Sequence, residues 1–157
     1  MSDSTPATQA LKKGKVDFSL LHYEYDHEAD RVGLQAAEAI GADPAEVFKS
    51  LMVELDGKPV CAVVPSDCEV NMKKLAKALG GKRAAMMQPA DAERTTGYKV
   101  GGISPLGQRK RVPTALDISA MDKALIHING GQRGLQIKVA PKGLVDFMRC
   151  VVADLVR

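Results

Sequence analysis

Apolar and polar positions divide the chain into short segments of contrasting periodicity. Thr5-Pro6 has the form of an N-cap followed by proline at the first helical position, and Gly14 is placed to end that helix. Leu20–Tyr25 reads as a strand. Leu34, Ala37 and Ile40 recur at helical spacing, Gly41 supplies a stop, and Asp43-Pro44 begins another turn. Phe48–Leu55 and Pro59–Pro65 flank Asp56-Gly57, a dipeptide suited to the positive φ angles of a two-residue turn, so they are predicted to form a hairpin. Asn71 can cap a helix over Met72–Leu79, which Gly80-Gly81 terminates. Ala84–Met87 reads as a short strand, followed by a helical segment that starts at Pro89 and ends near Gly97. Val112–Ile118, Leu125–Ile128 and Leu135–Val139 read as later strands, with His127 facing away from the core. Pro141 opens a final helix predicted to run through Phe147, Val151 and Leu155.

These elements lack the regular strand–helix–strand rhythm of a doubly wound fold, and two hairpins are expected. The predicted fold class is α/β of the mixed α+β kind, a single domain over residues 1–157 with a mixed or antiparallel sheet and flanking helices. Gly97–Gly107 and Asn129–Gly134 are too short and too well bounded for linkers, and are predicted to be functional loops.

Composition narrows the class. A chain of 157 residues, 45% hydrophobic and 26% charged, is ordinary for one soluble domain. No run approaches the roughly 18 apolar residues of a membrane span. The polar stretch Met1–Gln9 lacks the apolar core of a secretory signal, so a cytoplasmic protein with no membrane association is expected. Cys61, Cys68 and Cys150 are expected to be reduced thiols, Cys61 and Cys150 packing as small hydrophobes. No cysteine–histidine spacing suits zinc, and neither a metal nor another cofactor is expected. The net charge of +3 conceals an asymmetry: residues 1–70 carry 6 basic and 13 acidic side chains, residues 71–157 carry 16 and 6. A basic face for a polyanion is compatible with that split.

Several residues carry candidate chemistry. Gly102-Ile103-Ser104-Pro105-Leu106 approximates the G-x-S-x-G nucleophile elbow, but Leu106 replaces the second glycine and Pro105 interrupts the strand-to-helix turn. A serine nucleophile is therefore not predicted. Gly101 and Gly102 suit either a tight turn or backbone that a ligand approaches, offering N–H donors to a carbonyl or phosphate. Lys49, in an otherwise apolar strand, either reaches solvent or is held as an anion binder. His22 and His27 bracket Glu24, Tyr25 and Asp26, and are expected to have hydrogen-bonded structural roles. Arg109-Lys110-Arg111, directly after the glycine loop, is either solvated surface or a phosphate contact, which Lys73, Lys74 and Lys77 could extend. With three Phe, three Tyr and no Trp, base stacking is not expected to dominate nucleic-acid binding.

Taken in order, Tyr25-Asp26-His27, Gly33–Ala37, Val47-Phe48-Lys49-Ser50-Leu51, Thr96–Val100, Gly101-Gly102-Ile103-Ser104-Pro105-Leu106-Gly107-Gln108 and Gly130–Leu135 resemble the YbaK/EbsC family of free-standing Cys-tRNA(Pro) deacylases. The chain is also similar to the editing insertion of bacterial prolyl-tRNA synthetases. The resemblance implies a mixed, partly barrel-like sheet surrounded by helices. It implies aminoacyl-tRNA, chiefly tRNA(Pro) charged with cysteine, as the substrate partner, with prolyl-tRNA synthetase as a possible second partner. It maps the family lysine onto Lys49 and its neighbouring hydroxyl onto Ser50, the G-x-x-x-P loop onto Gly101 and Pro105, and the strand tyrosine onto Tyr25. Two positions depart from the family pattern: Asn129 stands where serine is common, and Gln136 where aspartate or serine is common. The implied site has Lys49 and Gly101 as catalytic residues, with Tyr25, Ser50, Gly102, Ile103, Ser104, Pro105 and Asn129 around the aminoacyl group. The implied chemistry is substrate-assisted: the cysteinyl thiol attacks its own ester while Gly101 N–H, alone or with Gly102, receives the carbonyl oxygen. Water-driven hydrolysis of Ala-tRNA(Pro) or another small aminoacyl-tRNA, and a non-catalytic tRNA- or synthetase-binding module, are the competing readings.

Overall fold

A computed structural model describes residues 3–26 and 32–157. The first helix, α1 (Pro6–Lys13), is closed by a reciprocal capping box: Thr8 N–H donates to Thr5 Oγ1 and Thr5 N–H donates to Thr8 Oγ1. Ala7 and Leu11 give it one fully buried face. Then come β1 (Phe18–His22), α2 (Val32–Ile40), β2 (Phe48–Leu55), β3 (Lys58–Pro65), α3 (Met72–Ala78), β4 (Ala84–Met86) and α4 (Pro89–Thr96). The C-terminal part contains β5 (Thr114–Asp117), β6 (Ile126–Asn129), β7 (Leu135–Val139), α5 (Pro141–Met148) and β8 (Val151–Ala153).

The strands form two sheets, ordered β1-β7-β6 and β4-β2-β3-β5-β8. All pairs in the smaller sheet are antiparallel. In the larger one β2 pairs antiparallel with β3 and β4, whereas β5 lies parallel to both β3 and β8. The Asp56-Gly57 turn behaves as expected, both residues having positive φ (51° and 81°). The sheet is not closed into a barrel, contrary to the partly barrel-like form expected. An isolated parallel bridge, Val47 to His127, links the two sheets, and β4 and β8 remain as edges of the larger one.

Alternation along β3 divides the core in two. Cys61 and Val63 pack with Phe48, Met52, Leu116 and the isoleucines of β6 and β7, under α1 and α5. Val60, Ala62 and Val64 face the other way, onto Leu75 and Ala76 of α3 and onto Leu155. Because the larger sheet is covered on both faces, β3 is apolar almost throughout.

A further expectation is corrected. The last helix stops at Met148, where Arg149 adopts the left-handed conformation (φ 53°) and its N–H bonds Val145 C=O at 2.7 Å. Val151–Ala153 then becomes β8 rather than another helical turn, in register with Ala115–Asp117. The 147/151/155 spacing fitted a helix, but Val151-Val152 favours the pleated surface that β5 offers. His127 lies on the face opposite the core residues Ile126 and Ile128, as expected, but it is only 6% exposed instead of open to solvent, and Val47 pairs beside it through the isolated bridge. Burial, followed by the charge of Lys138, lowers its pKa.

Candidate active site

Beside the junction of the two sheets lies a cavity of about 410 Å³. Its walls come from β2, the turn after β3, the β4–α4 connection, the glycine loop, and the facing residues Asn129 and Gln136. Lys49, Ser50, Gly101, Ile103 and Asn129 are thereby brought together from segments as far as 80 residues apart. Phe48, Met52, Met87 and Ile103 supply apolar surface.

Lys49 is partly buried on β2, opposite Val64. Its charge reaches Cys68, which also lines the cavity and whose thiol donates to Asp67 Oδ1 at 3.4 Å. Burial, reinforced by Asp67 and Asp117, raises the Cys68 thiol pKa, with Lys49 opposing the rise. Ser50 Oγ in the wall is buried without a hydrogen-bond partner among the described residues, whereas the Gln136 carboxamide lies against the buried Tyr23 hydroxyl. Asn129 and Gln136 are directly paired across β6 and β7, so their side chains share one face of the smaller sheet.

The glycine loop is held from several sides. Gly97, in the left-handed conformation, ends α4 with its N–H bonded to Glu93 C=O. Tyr98 spans the loop by donating its hydroxyl to Leu106 C=O at 2.6 Å. Val100 N–H donates to Glu93 Oε2, and Arg133 Nε donates to Val100 C=O, both at 2.9 Å. Gly101 has φ 91°, and a Cβ there would lie 2.6 Å from Tyr25 Oη. The Arg133 guanidinium lies 5.1 Å from the Tyr25 ring centroid, within cation–π range. Asn129 joins the two loops: Nδ2 donates to Gly101 C=O at 3.0 Å, and Oδ1 accepts from Gly131 N–H at 2.7 Å.

The neighbouring glycines differ in what they offer. Gly102 N–H is occupied by Lys99 C=O at 2.8 Å, and a Cβ on Gly102 would lie 2.9 Å from Arg133 N. No acceptor among the described residues takes Gly101 N–H. Of this pair, only Gly101 can donate without breaking a turn.

The other sequence candidates lie around the cavity. Tyr25 backs Gly101 and is not part of the lining. Ser104 is fully buried, its Oγ accepting Leu106 N–H at 3.2 Å, which leaves it a turn-forming hydroxyl. Pro105 faces a second cavity near α5. Arg109, Lys110 and Arg111 are exposed and line none of the first cavity; Arg109 N–H bonds Thr96 C=O, and Arg111 Nη2 bonds Met148 C=O. His22 Nε2 pairs with Asp3 Oδ1 at 2.6 Å, and His27 lies outside the described residues. Sequence reading assigned no role to Gln136, Cys68, Met86 or Met87, all of which line the cavity. The hairpin register held a signal for the Ser66–Glu69 side, because pairing Phe48 with Pro65 sets the turn after Pro65 beside Val47.

Comparison with known proteins gives a consistent pattern. The family model of the aminoacyl-tRNA editing domain matches residues 27–147. The Enterococcus faecalis protein named "Putative Cys-tRNA(Pro)/Cys-tRNA(Cys) deacylase EbsC" is 36% identical over 154 residues, covering 96% of this chain and 92% of its own length. Proline–tRNA ligase of Geobacter metallireducens is 31% identical over 116 residues, which cover 74% of this chain and 20% of the ligase. Among solved structures, "a putative trans-editing enzyme for prolyl tRNA synthetase" superposes with a TM-score of 0.80 at 24% identity, covering 98% of both chains.

Proposed function

Because the chain belongs to the aminoacyl-tRNA editing domain family, we propose that it is an aminoacyl-tRNA deacylase that removes cysteine from mischarged Cys-tRNA(Pro). Such an enzyme meets its tRNA in the cytoplasm, in company with prolyl-tRNA synthetase. The observation that carries this reading is the cavity that Lys49 lines together with a glycine loop whose Gly101 N–H is unclaimed among the described residues.

No side-chain nucleophile is needed for a cysteinyl ester. A thiol with a pKa of about 8.5 is partly ionised near neutral pH, and its thiolate is strongly nucleophilic. The substrate sulfur attacks its own ester carbonyl carbon and forms a C–S bond. The carbonyl oxygen gathers charge, which Gly101 N–H receives. The C–O bond to the ribose then breaks, the ribose oxygen takes a proton, and a cysteine thiolactone leaves. One oxyanion donor typically contributes about 2.7–4 kcal/mol to lowering such a barrier. Lys49 holds the terminal phosphate or ester by charge, Ser50 and Asn129 orient the aminoacyl group, and Tyr25 supports Gly101. Arg109, Lys110 and Arg111 contact the tRNA backbone outside the cavity.

The test is deacylation of Cys-tRNA(Pro), Ala-tRNA(Pro) and Ser-tRNA(Pro) by wild type and Lys49→Ala. Cysteine-selective cleavage that the substitution abolishes is the expected result. Equal rates on seryl and cysteinyl esters would overturn the thiol route, since a hydroxyl is a far weaker nucleophile. Alanine-selective cleavage would assign the site to water-driven hydrolysis, and tRNA binding without cleavage would make it a binding module.

A further inference from the structure

Successive peptide groups of the glycine loop are claimed at both ends, with one exception. In the Lys99–Val100 peptide, the C=O accepts Gly102 N–H at 2.8 Å and the N–H donates to Glu93 Oε2 at 2.9 Å. In the Gly101–Gly102 peptide, Asn129 Nδ2 holds the C=O at 3.0 Å, and the N–H is the one that reaches Lys99. The Val100–Gly101 peptide between them has its C=O bonded by Arg133 Nε at 2.9 Å, while its N–H is unclaimed among the described residues. This peptide is trans, so its N–H points away from its C=O. Gly101 lines the cavity and Arg133 does not. We propose that Arg133 is a positioning residue for the carbonyl-binding amide: gripping the carbonyl end of the Val100–Gly101 peptide from outside the cavity, it aims the N–H end inward and polarises it. This assignment rests on the deacylase reading of the same cavity.

The charge of Arg133 matters as well as its reach. A hydrogen bond from an ionised donor is roughly twice as strong as a neutral one, and bonds in series polarise one another. A guanidinium that draws electron density toward the Val100 oxygen makes Gly101 N–H a better partner for an oxygen gathering charge. The guanidinium is itself held, 5.1 Å from the ring centroid of Tyr25, whose Oη backs Gly101. The Arg133 main chain also meets the loop, since its nitrogen lies 2.9 Å from where a Cβ on Gly102 would stand. A partly exposed arginine could instead serve a tRNA phosphate, but such a contact acts on binding alone. A bond to this carbonyl acts on the step in which charge develops.

Glutamine and methionine place an amide nitrogen and a methyl group as many bonds from Cα as Arg133 Nε. Arg133→Gln therefore keeps a neutral donor at that atom, and Arg133→Met removes it. Deacylation of Cys-tRNA(Pro) and the amide proton–nitrogen correlation spectrum are measured for wild type and both variants. Coupling of roughly 10–30% per bond, applied to a donor worth about a hundredfold to a thousandfold, gives about a twofold to eightfold fall in kcat for Arg133→Met. KM should stay within about twofold, and Arg133→Gln should fall between wild type and Arg133→Met. The Gly101 amide nitrogen resonance, which responds to the bond accepted by the preceding carbonyl, should move upfield in the same order. The remaining resonances report whether each variant keeps its fold. A raised KM with unchanged kcat would make Arg133 a tRNA contact and overturn the proposal. So would a Gly101 resonance unmoved in Arg133→Met, or an Arg133→Gln variant identical to wild type in kcat and resonance. Absence of cleavage by wild type would sink the deacylase reading, while the Gly101 resonance would still decide whether Arg133 polarises this amide.

Discussion

Asn129→Ala is the substitution that most directly probes how the site is held. The side chain is 8% exposed and makes two hydrogen bonds, to Gly101 C=O at 3.0 Å and from Gly131 N–H at 2.7 Å. Each such bond contributes about 0.5–1.5 kcal/mol net, so their joint loss should cost about 1–3 kcal/mol. For a chain of this size that corresponds to a fall in Tm of roughly 2–12 °C. Activity should suffer more than stability. Gly101 loses the anchor on its carbonyl, and a displaced oxyanion donor can forfeit up to about 2.7–4 kcal/mol of barrier lowering, a hundredfold to a thousandfold in rate. Asn129→Asp sharpens the test. It keeps an acceptor for Gly131 N–H but turns a carboxylate oxygen toward Gly101 C=O, so its loss of kcat should be at least that of alanine. Urea denaturation and single-turnover deacylation of Cys-tRNA(Pro) would measure the two effects. A Tm within about 1 °C of wild type together with kcat/KM within about twofold for Asn129→Ala would refute the bridging role.

Other perturbations follow from the same geometry. Gly101→Ala would set a Cβ 2.6 Å from Tyr25 Oη at φ 91°, so we expect about 1–3 kcal/mol of strain and loss of deacylation, read by denaturation and turnover. The double substitution Gly101→Ala/Tyr25→Ala should recover only the part due to the clash. The Cys61 thiol, fully buried, is pushed up to about 12 from its ordinary 9.0. A raised folded-state pKa means that stability is intact below pH 9 and is lost as pH climbs toward 12, at up to about 1.4 kcal/mol per pH unit. The urea midpoint of Cys61→Ala should accordingly decline less than that of wild type between pH 9 and 10, and parallel declines would count against it. Arg109→Ala/Lys110→Ala removes two exposed charges, and if both meet duplex phosphates the slope of log Kd against log salt should fall by roughly 1.8. An unchanged slope would leave tRNA recognition to the acceptor end.

Local chemistry decided what could be read from the sequence. Asp56-Gly57 carries its own backbone preference, so the β2–β3 hairpin was legible, and Asn71 announced α3 by the same logic. Arg149 gave no comparable signal, because a non-glycine residue at positive φ is set by its surroundings, and β8 was therefore hidden inside a helical spacing. The burial of His127 was not legible because alternation assumes one open face, whereas β6 is buried at all four positions. Within the site, Lys49, Gly101 and Asn129 were visible as residue types in motif order. Their convergence depends on two sheets meeting, which no local pattern encodes. Gly101 and Gly102 are chemically alike in sequence, and only the bond from Gly102 N–H to Lys99 C=O separates a free donor from an occupied one.

The proposed reaction relies on a backbone donor instead of a side-chain nucleophile, and would take its precision from packing in which α1 has a part. Thr5 Oγ1 donates to Gly130 C=O at 2.5 Å, adjoining Asn129, while a Cβ on Gly107 would lie 2.5 Å from the Pro6 backbone. The capped end of one helix thus rests against both glycine loops, and Asn129 connects those loops at Gly101. Loops with little side-chain bulk would otherwise sample many conformations, and a donor misplaced by about 1 Å can cost a hundredfold in rate. The capping box at Thr5 and Thr8, which in sequence looks like an ordinary helix start, is for this reason bound to the geometry of the Gly101 amide nearly 100 residues away.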